Sequence, residues 1–144
     1  MKLSYIDTSN FLRSLLVLIK KDNIIHKNEV ELLKKIGEEL GFEKEFYEAT
    51  VEEFLSKKKI DFSIPKFSSK KVTIKFIYDS IKMGFIDNYF HIKELEWLYD
   101  VAGKNKIPTK FVDKKLIEYL KKYPEKKNEL DKKWLKRLEK NYNI

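Results

Sequence analysis

Cysteine is absent from this chain of 144 residues, and glycine, proline and arginine are rare. The absence of cysteine excludes disulfide frameworks, thiolate zinc sites, iron–sulfur clusters and cysteine nucleophiles. Because only 4 glycines and 3 prolines occur, we expect helices joined by short loops. The arginines are Arg13 and Arg137 alone, so forked donors for guanine edges are scarce, and any anion binding should be diffuse.

Long apolar runs are missing as well. The first apolar run, Leu15 to Ile19, is short and is followed by Lys20 and Lys21, which does not fit a secretory signal. A membrane-spanning helix needs about 20 mostly apolar residues. We therefore expect a cytoplasmic protein without a transmembrane segment. No glycine-rich phosphate loop and no Gly-x-Ser-x-Gly motif occurs, which favours a non-enzymatic role.

The composition that remains is typical of a folded domain. Hydrophobic residues make up 42% of the chain, aromatic residues 14% and charged residues 38%, which excludes a disordered chain. A chain of this length buries about two thirds of the surface that it exposes when unfolded. The sequence therefore predicts a single all-α domain over residues 1–144.

Positive charge is concentrated at the C-terminal end. Residues 1–103 carry 17 basic and 17 acidic residues, whereas residues 104–144 carry 14 basic and 6 acidic ones, so the whole net charge of +8 lies in the last segment. Two interpretations remain open. In the first, the lysines only solvate the exposed faces of helices. In the second, they form a surface that binds anionic partners.

Apolar residues recur at helical spacing in seven segments. The stripe expected to be buried in the fourth segment is Ile74, Ile77, Tyr78 and Ile81, and the stripe of the sixth includes Tyr119 and Tyr123. The predicted helices cover about residues 9–21, 27–40, 43–57, 69–85, 92–104, 109–123 and 125–142. Thr8 or Ser9 is the expected N-cap of the first helix, and Gly41 the expected C-cap of the second. Residues 58–68 have an extended pattern and form the expected connector. Pro124 is expected to end the sixth helix and to begin the seventh.

An offset of 65 residues aligns the chain with itself. It matches the octet of residues 22–29 with residues 87–94 at four of eight positions and also matches Phe11 with Phe76. We therefore predict a duplicated helical hairpin, with one repeat at about 9–57, a second at about 69–107, and a basic C-terminal extension at 108–144. Because each repeat has one apolar face to cover, the two should pack about a pseudo-two-fold axis.

The repeated octet has a structural interpretation. Asn23 and Asn88 suit a left-handed turn, and a new helix then begins near His26 or His91, with a glutamate three residues later. Such a glutamate accepts a hydrogen bond from a free N–H group in a capping box and lies at the positive end of the helix.

An Asp-Gly-x-Ile-x-x-x-Glu turn that occurs twice in a helical chain resembles the TerB-like family, which is associated with tellurite resistance and stress response. In this sequence, asparagine occupies the position of the family's glycine, and histidine occupies the position of the family's helix cap. The resemblance covers about residues 9–107 and implies an all-helical fold, binding of a divalent cation and a non-enzymatic interaction role with an unidentified protein partner. The residues that match the motif are Asp22, Ile25, Glu29, Asp87, Phe90 and Glu94.

Two binding hypotheses follow. The first is a site for Ca, Mg, Mn or Zn, because carboxylates suit hard cations and imidazole suits Zn or Mn. Its candidate ligands are Asp22, Glu29, Asp87, Glu94, His26 and His91; the alternative is that these residues only begin helices. The second is contact with nucleic acid or anionic lipid through one face of the last helix. Its candidates are Lys133, Lys136, Arg137 and Lys140.

Overall fold

The computed structural model describes residues 2–20, 26–56, 62–86 and 88–144. In these ranges the protein is all-helical, with seven α-helices, one 3-10 helix and no β-strand. This confirms the predicted fold class. The α-helices are α1 (Tyr5–Lys20), α2 (Lys27–Glu39), α3 (Lys44–Ser56), α4 (Lys70–Phe85), α5 (Ile92–Lys104), α6 (Thr109–Lys122) and α7 (Lys132–Tyr142), and the 3-10 helix is Pro124–Glu129.

Most helix ends lie where local signals predict them. Ser69 caps α4, its hydroxyl accepting from the Val72 N–H at 3.3 Å. At the end of α2, Gly41 adopts a left-handed conformation with φ +74°. The next amide, that of Phe42, donates to the Gly37 carbonyl at 2.8 Å. This is the pattern of a Schellman motif, which closes the helix because glycine tolerates positive φ.

The first helix begins earlier than predicted. Ser4, not Thr8 or Ser9, caps α1: its hydroxyl accepts from the Asp7 N–H at 3.1 Å, and its carbonyl accepts from the Thr8 N–H at 2.8 Å. The reason is that Ser4 offers the same capping chemistry one turn upstream. The first turn of α1 is largely exposed, so hydrophobic periodicity did not mark it.

The last helix begins later than predicted. The backbone of residues 129–131 pairs with Phe90, whose N–H donates to the Glu129 carbonyl at 2.7 Å and whose carbonyl accepts from Asp131 at 3.3 Å. This pairing requires extended backbone, so the turn that begins at Pro124 cannot continue into α7. Asp131 then caps α7 by accepting from the N–H groups of Lys133 and Trp134 at 3.1 Å each.

Two clusters of buried side chains form the core, and α4 belongs to both. Phe76 and Met83 of α4 pack into the cluster formed mainly by α1, α2 and α3. Ile77 and Phe85 of the same helix pack into the cluster formed by α5, α6 and α7. Of the stripe predicted for α4, Ile77 and Ile81 are buried, whereas Ile74 and Tyr78 are 37% and 45% exposed. The prediction is wrong for these two residues because the two core clusters cover α4 on two sides and not along a single stripe.

Helix bounds recur at the offset found in the sequence. Helices α1 and α4, α2 and α5, and α3 and α6 each begin 65 residues apart. The corresponding residues Phe11 and Phe76 are both fully buried and touch each other, with ring centroids 5.4 Å apart in an edge-to-face arrangement. Equivalent residues contact each other where a two-fold axis passes between them. The pseudo-two-fold packing of whole repeats stays a prediction.

The connector is held by buried polar side chains from both halves. Asn105, at the end of α5, accepts from the Phe67 N–H at 2.7 Å and donates to the Pro65 carbonyl at 2.9 Å. Asp7, buried in α1, accepts from the Ser68 N–H at 2.9 Å and from the Ser68 hydroxyl. Residues 62–67 have no regular secondary structure, as predicted, whereas residues 57–61 lie outside the described ranges. No helix of the described chain is long and apolar enough to cross a membrane.

A close helix–loop contact yields a stability prediction. A Cβ atom at Gly84 would lie 2.3 Å from the ring of Phe90, which is fully buried and packs edge-to-face on Phe85. Gly84→Ala should therefore lower the free energy of unfolding by about 1–3 kcal/mol, measured by urea denaturation. The matched control is Gly103→Ala, because a Cβ at Gly103 meets nothing within 4 Å and alanine favours helix by about 0.5–1 kcal/mol. Equal effects of the two substitutions would contradict the contact.

Candidate functional site

The predicted acidic turns lie at the N-termini of α2 and α5. His26 and His91 are the N-cap residues, each with extended backbone, and each is followed three residues later by a buried glutamate. The Glu29 carboxylate accepts from the His26 N–H at 2.9 Å, and the Glu94 carboxylate accepts from the His91 N–H at 3.0 Å. The predicted capping interaction is therefore formed at both turns with the same geometry.

The second turn shows further features that the sequence predicts. Asn88 adopts the left-handed conformation expected of it, with φ +73°. Nδ1 of His91 accepts from the Lys93 N–H at 3.2 Å, so histidine replaces the usual serine or aspartate as the capping side chain. The remaining members of the motif lie outside the described residues; they are Asp22, Asn23, Ile25 and Asp87.

Burial explains what the two glutamates do. Glu29 is 0% exposed and Glu94 is 1% exposed; a buried carboxylate is costly unless hydrogen bonds and a positive potential compensate it. A helix N-terminus supplies both, through its unpaired N–H groups and its dipole. Each glutamate therefore has a structural function that requires no cation.

The described candidate ligands do not form a metal centre by themselves. Among residues 2–20, 26–56, 62–86 and 88–144, no group of three or more histidine, aspartate or glutamate side chains is close enough to hold a metal ion. His26 and His91 are half-buried, next to the glutamates that cap their helices. A cation at either turn would therefore need ligands other than the described histidine, aspartate and glutamate side chains.

The second candidate surface is the basic face of α7, which we define as Lys133, Lys136, Arg137 and Lys140. All four side chains are exposed. On the opposite side of the helix, Leu138 is 1% exposed and belongs to the second core cluster, as does Leu130 just before α7. The amphipathic arrangement predicted for this helix is therefore present.

A buried aspartate fastens α7 to the rest of the protein. The Asp113 carboxylate of α6 accepts from the hydroxyl groups of Tyr99 in α5 and Tyr142 in α7. Burial and this hydrogen bond raise the pKa of Tyr99, and the bond to Asp113 raises the pKa of Tyr142. Both phenols therefore remain protonated donors, and the basic face is presented by a fixed helix.

Trp134 belongs to the same contact. Its ring lies 4.9 Å from that of Tyr99, its indole N–H donates to the Tyr99 hydroxyl at 3.4 Å, and the Arg137 guanidinium lies 4.7 Å above it. Because both Tyr99 and Arg137 contact it, the indole contributes to docking of α7 and is not a free platform for stacking bases.

A cavity of about 460 Å³ that was not predicted from the sequence lies between α2, α4 and α6; we call it the tyrosine–lysine cavity. Three tyrosines and three lysines line it: Tyr78, Lys82, Lys115, Tyr119, Lys122 and Tyr123. Hydrophobic periodicity places Tyr78 in the buried stripe predicted for α4, and Tyr119 and Tyr123 recur at helical spacing in α6. The signal that was available is the pairing of tyrosine with lysine three or four positions away on one helix face.

The capping function of the glutamates is testable. Glu94→Ala removes the acceptor of the His91 N–H and should lower the free energy of unfolding by about 1–2 kcal/mol in buffer that contains a chelator. Glu94→Gln, which keeps an acceptor, should retain most of the stability. The control is Glu96→Ala, an exposed site on the same helix, where an effect below about 0.5 kcal/mol is expected. If Glu94→Ala and Glu96→Ala unfold at the same urea concentration, the cap does not stabilise α5.

Comparison of the chain with protein-family models, curated proteins and solved structures gave no match. The resemblance to the TerB-like family therefore stays a prediction that is based on the two acidic turns.

Proposed function

We propose that this chain is a non-enzymatic interaction module of the TerB-like type that binds the phosphate backbone of nucleic acid through the basic face of α7. The observation that carries the proposal is the exposure of all four basic side chains on a helix whose other side is held in the core. A row of cations on a fixed helix can contact several backbone phosphates, and the helix loses no conformational freedom when it binds.

The charge distribution supports a sequence-independent mode of binding. The net charge of +8 arises entirely from residues 104–144, so one end of the chain provides a positive potential that attracts polyanions. Three of the four groups on the basic face are lysines, which contact phosphates as point charges. Arg137, whose fork suits guanine edges, lies over the Trp134 ring instead.

Nucleic acid fits α7 better than a lipid surface does. An amphipathic helix that binds a membrane inserts its apolar side among the lipid chains. Here Leu138 is 1% exposed and Trp134 is packed against Tyr99, so the apolar side of α7 is occupied by the protein itself. The basic side chains of α7 are therefore exposed for binding, whereas its apolar side is not.

The test neutralises charge without removing the helix, because deletion of α7 would expose the second core cluster. A variant with all four residues of the basic face changed to glutamine should lose at least about tenfold in affinity for a fluorescein-labelled DNA duplex. The slope of the logarithm of the association constant against the logarithm of the salt concentration should become less negative by about 3–4. Fluorescence anisotropy over a salt series measures both quantities.

The matched control also lowers the net charge from +8 to +4. It replaces four exposed lysines outside α7 with glutamine: Lys27, Lys35, Lys70 and Lys71. This control should keep at least about half of the wild-type affinity. Equal losses in the two variants would show a general charge effect and contradict the assignment to α7. Binding to phosphatidylserine vesicles but not to DNA would overturn the choice of nucleic acid.

A divalent cation at the acidic turns is the second candidate function. It is favoured by the same capping geometry at both turns, with buried Glu29 and Glu94 bonded to the N–H groups of His26 and His91. In this proposal the glutamates fix the turns, and Asp22 and Asp87 supply oxygen ligands. Oxygen ligands suit Ca or Mg, and a histidine nitrogen added to them suits Mn or Zn.

The expected response is a rise in melting temperature of roughly 5–10 °C when one of these four metals is present at about a hundred times its Kd. Asp22→Ala combined with Asp87→Ala should abolish the rise. The control is Glu96→Ala combined with Asp100→Ala, which removes two exposed acidic groups and should leave the rise unchanged. A wild-type melting temperature that no metal alters would contradict cation binding.

A further inference from the structure

The lining of the tyrosine–lysine cavity includes no residue of α7 and none of the capping residues at the N-termini of α2 and α5. Its walls come from α2, α4 and α6, and its volume of about 460 Å³ is in the range of small-molecule sites. Leu32, Ile81 and Ile86 supply aliphatic surface. The cavity therefore combines an apolar surface with a few polar groups, as ligand pockets do.

An ordered series of rings forms one wall of the cavity. Phe85 is fully buried and stacks on Tyr119, with centroids 5.0 Å apart and planes at 5°. Tyr119 in turn contacts Tyr123 at 4.9 Å. Tyr78 lines the cavity from α4 and is 45% exposed. Because Phe85 anchors the series in the core, the tyrosine rings are held in position to receive another flat ring.

Two lysine ammonium groups stand beside these rings. Lys82 lies 5.2 Å above the ring of Tyr78, and Lys122 lies 5.5 Å above the ring of Tyr123. The third lysine of the cavity, Lys115, is paired with Glu118 at 3.2 Å, which neutralises the acidic group of the lining. The described residues place no carboxylate within salt-bridge distance of Lys82 or Lys122, so the cavity has an excess of positive charge.

We propose that the tyrosine–lysine cavity binds a small aromatic phosphate, with the ring among Tyr78, Tyr119 and Tyr123 and the phosphate between Lys82 and Lys122. Two ammonium groups on different helices match a dianion better than a monoanion. Ring contact and charge pairing each contribute favourably when the site is partly shielded from water.

Tyr119 also lines the cavity. Burial raises the pKa of Tyr119, and the neighbouring Tyr123 and acidic groups raise it further. The phenol therefore keeps its proton at neutral pH and remains a hydrogen-bond donor. This cavity is independent of the basic face of α7, and either site can be present without the other.

The experiment uses 1-naphthyl phosphate as the probe and isothermal titration calorimetry as the readout. We expect binding with a Kd of about 1 mM or lower. Inorganic phosphate lacks the ring, and 1-naphthalenemethanol lacks the charge, so each should bind at least about tenfold more weakly. Lys82→Gln combined with Lys122→Gln should weaken binding of the probe by about tenfold. Tyr119→Leu should weaken it by a similar factor.

The control variant carries Lys71→Gln and Lys110→Gln. These lysines are exposed, lie on the same two helices as Lys82 and Lys122, and do not line the cavity. The control should bind the probe within about twofold of wild type, and circular dichroism should show that all variants are folded. Equal weakening in the two double variants, equal binding of 1-naphthalenemethanol, or no heat of binding with the wild-type protein would each overturn the proposal.

Discussion

Helix α4 is packed on two sides, and this packing holds the molecule together. Phe76 packs against Phe11 in one core cluster, whereas Ile77, the next residue, packs in the other. A helix that is apolar on two sides has no stable position on the surface of a bundle. Unfolding of either cluster therefore exposes one side of α4, which couples the N-terminal and C-terminal halves into a single cooperative unit.

Helix positions were predictable where the signal for a helix end is local. Ser69, Gly41 and the His-x-x-Glu sequences each act through backbone groups within a few residues, so the predicted bounds of α2, α4 and α5 agree closely with the structure. The start of α7 was not predictable in this way. It depends on pairing between Phe90 and residues about forty positions later, and no local pattern encodes such a contact.

The candidate sites also differ in whether their signal in the sequence is local. The acidic turns were recognisable because each is a short contiguous sequence, and their capping bonds are formed as the residue spacing predicts. The tyrosine–lysine cavity was recognisable only in part. The spacing of tyrosine and lysine on one helix is a local signal, but the cavity is formed by three helices that are distant in sequence. Tyr78 is an example. Hydrophobic periodicity places it in the core, but the two buried sides of α4 do not include Tyr78, which lines the cavity instead.

The contact between Phe11 and Phe76 bears on the origin of the chain. If the two halves arose by copying of one helical unit, these residues descend from a single phenylalanine, and α1 and α4 descend from a single helix. On that premise, the ancestral helix would have carried the apolar face that α1 and α4 now bury against each other. A single copy would have left this face in water unless it paired with a second copy across the same surface. Joining two copies in one chain would make that contact intramolecular and would allow the two halves to diverge.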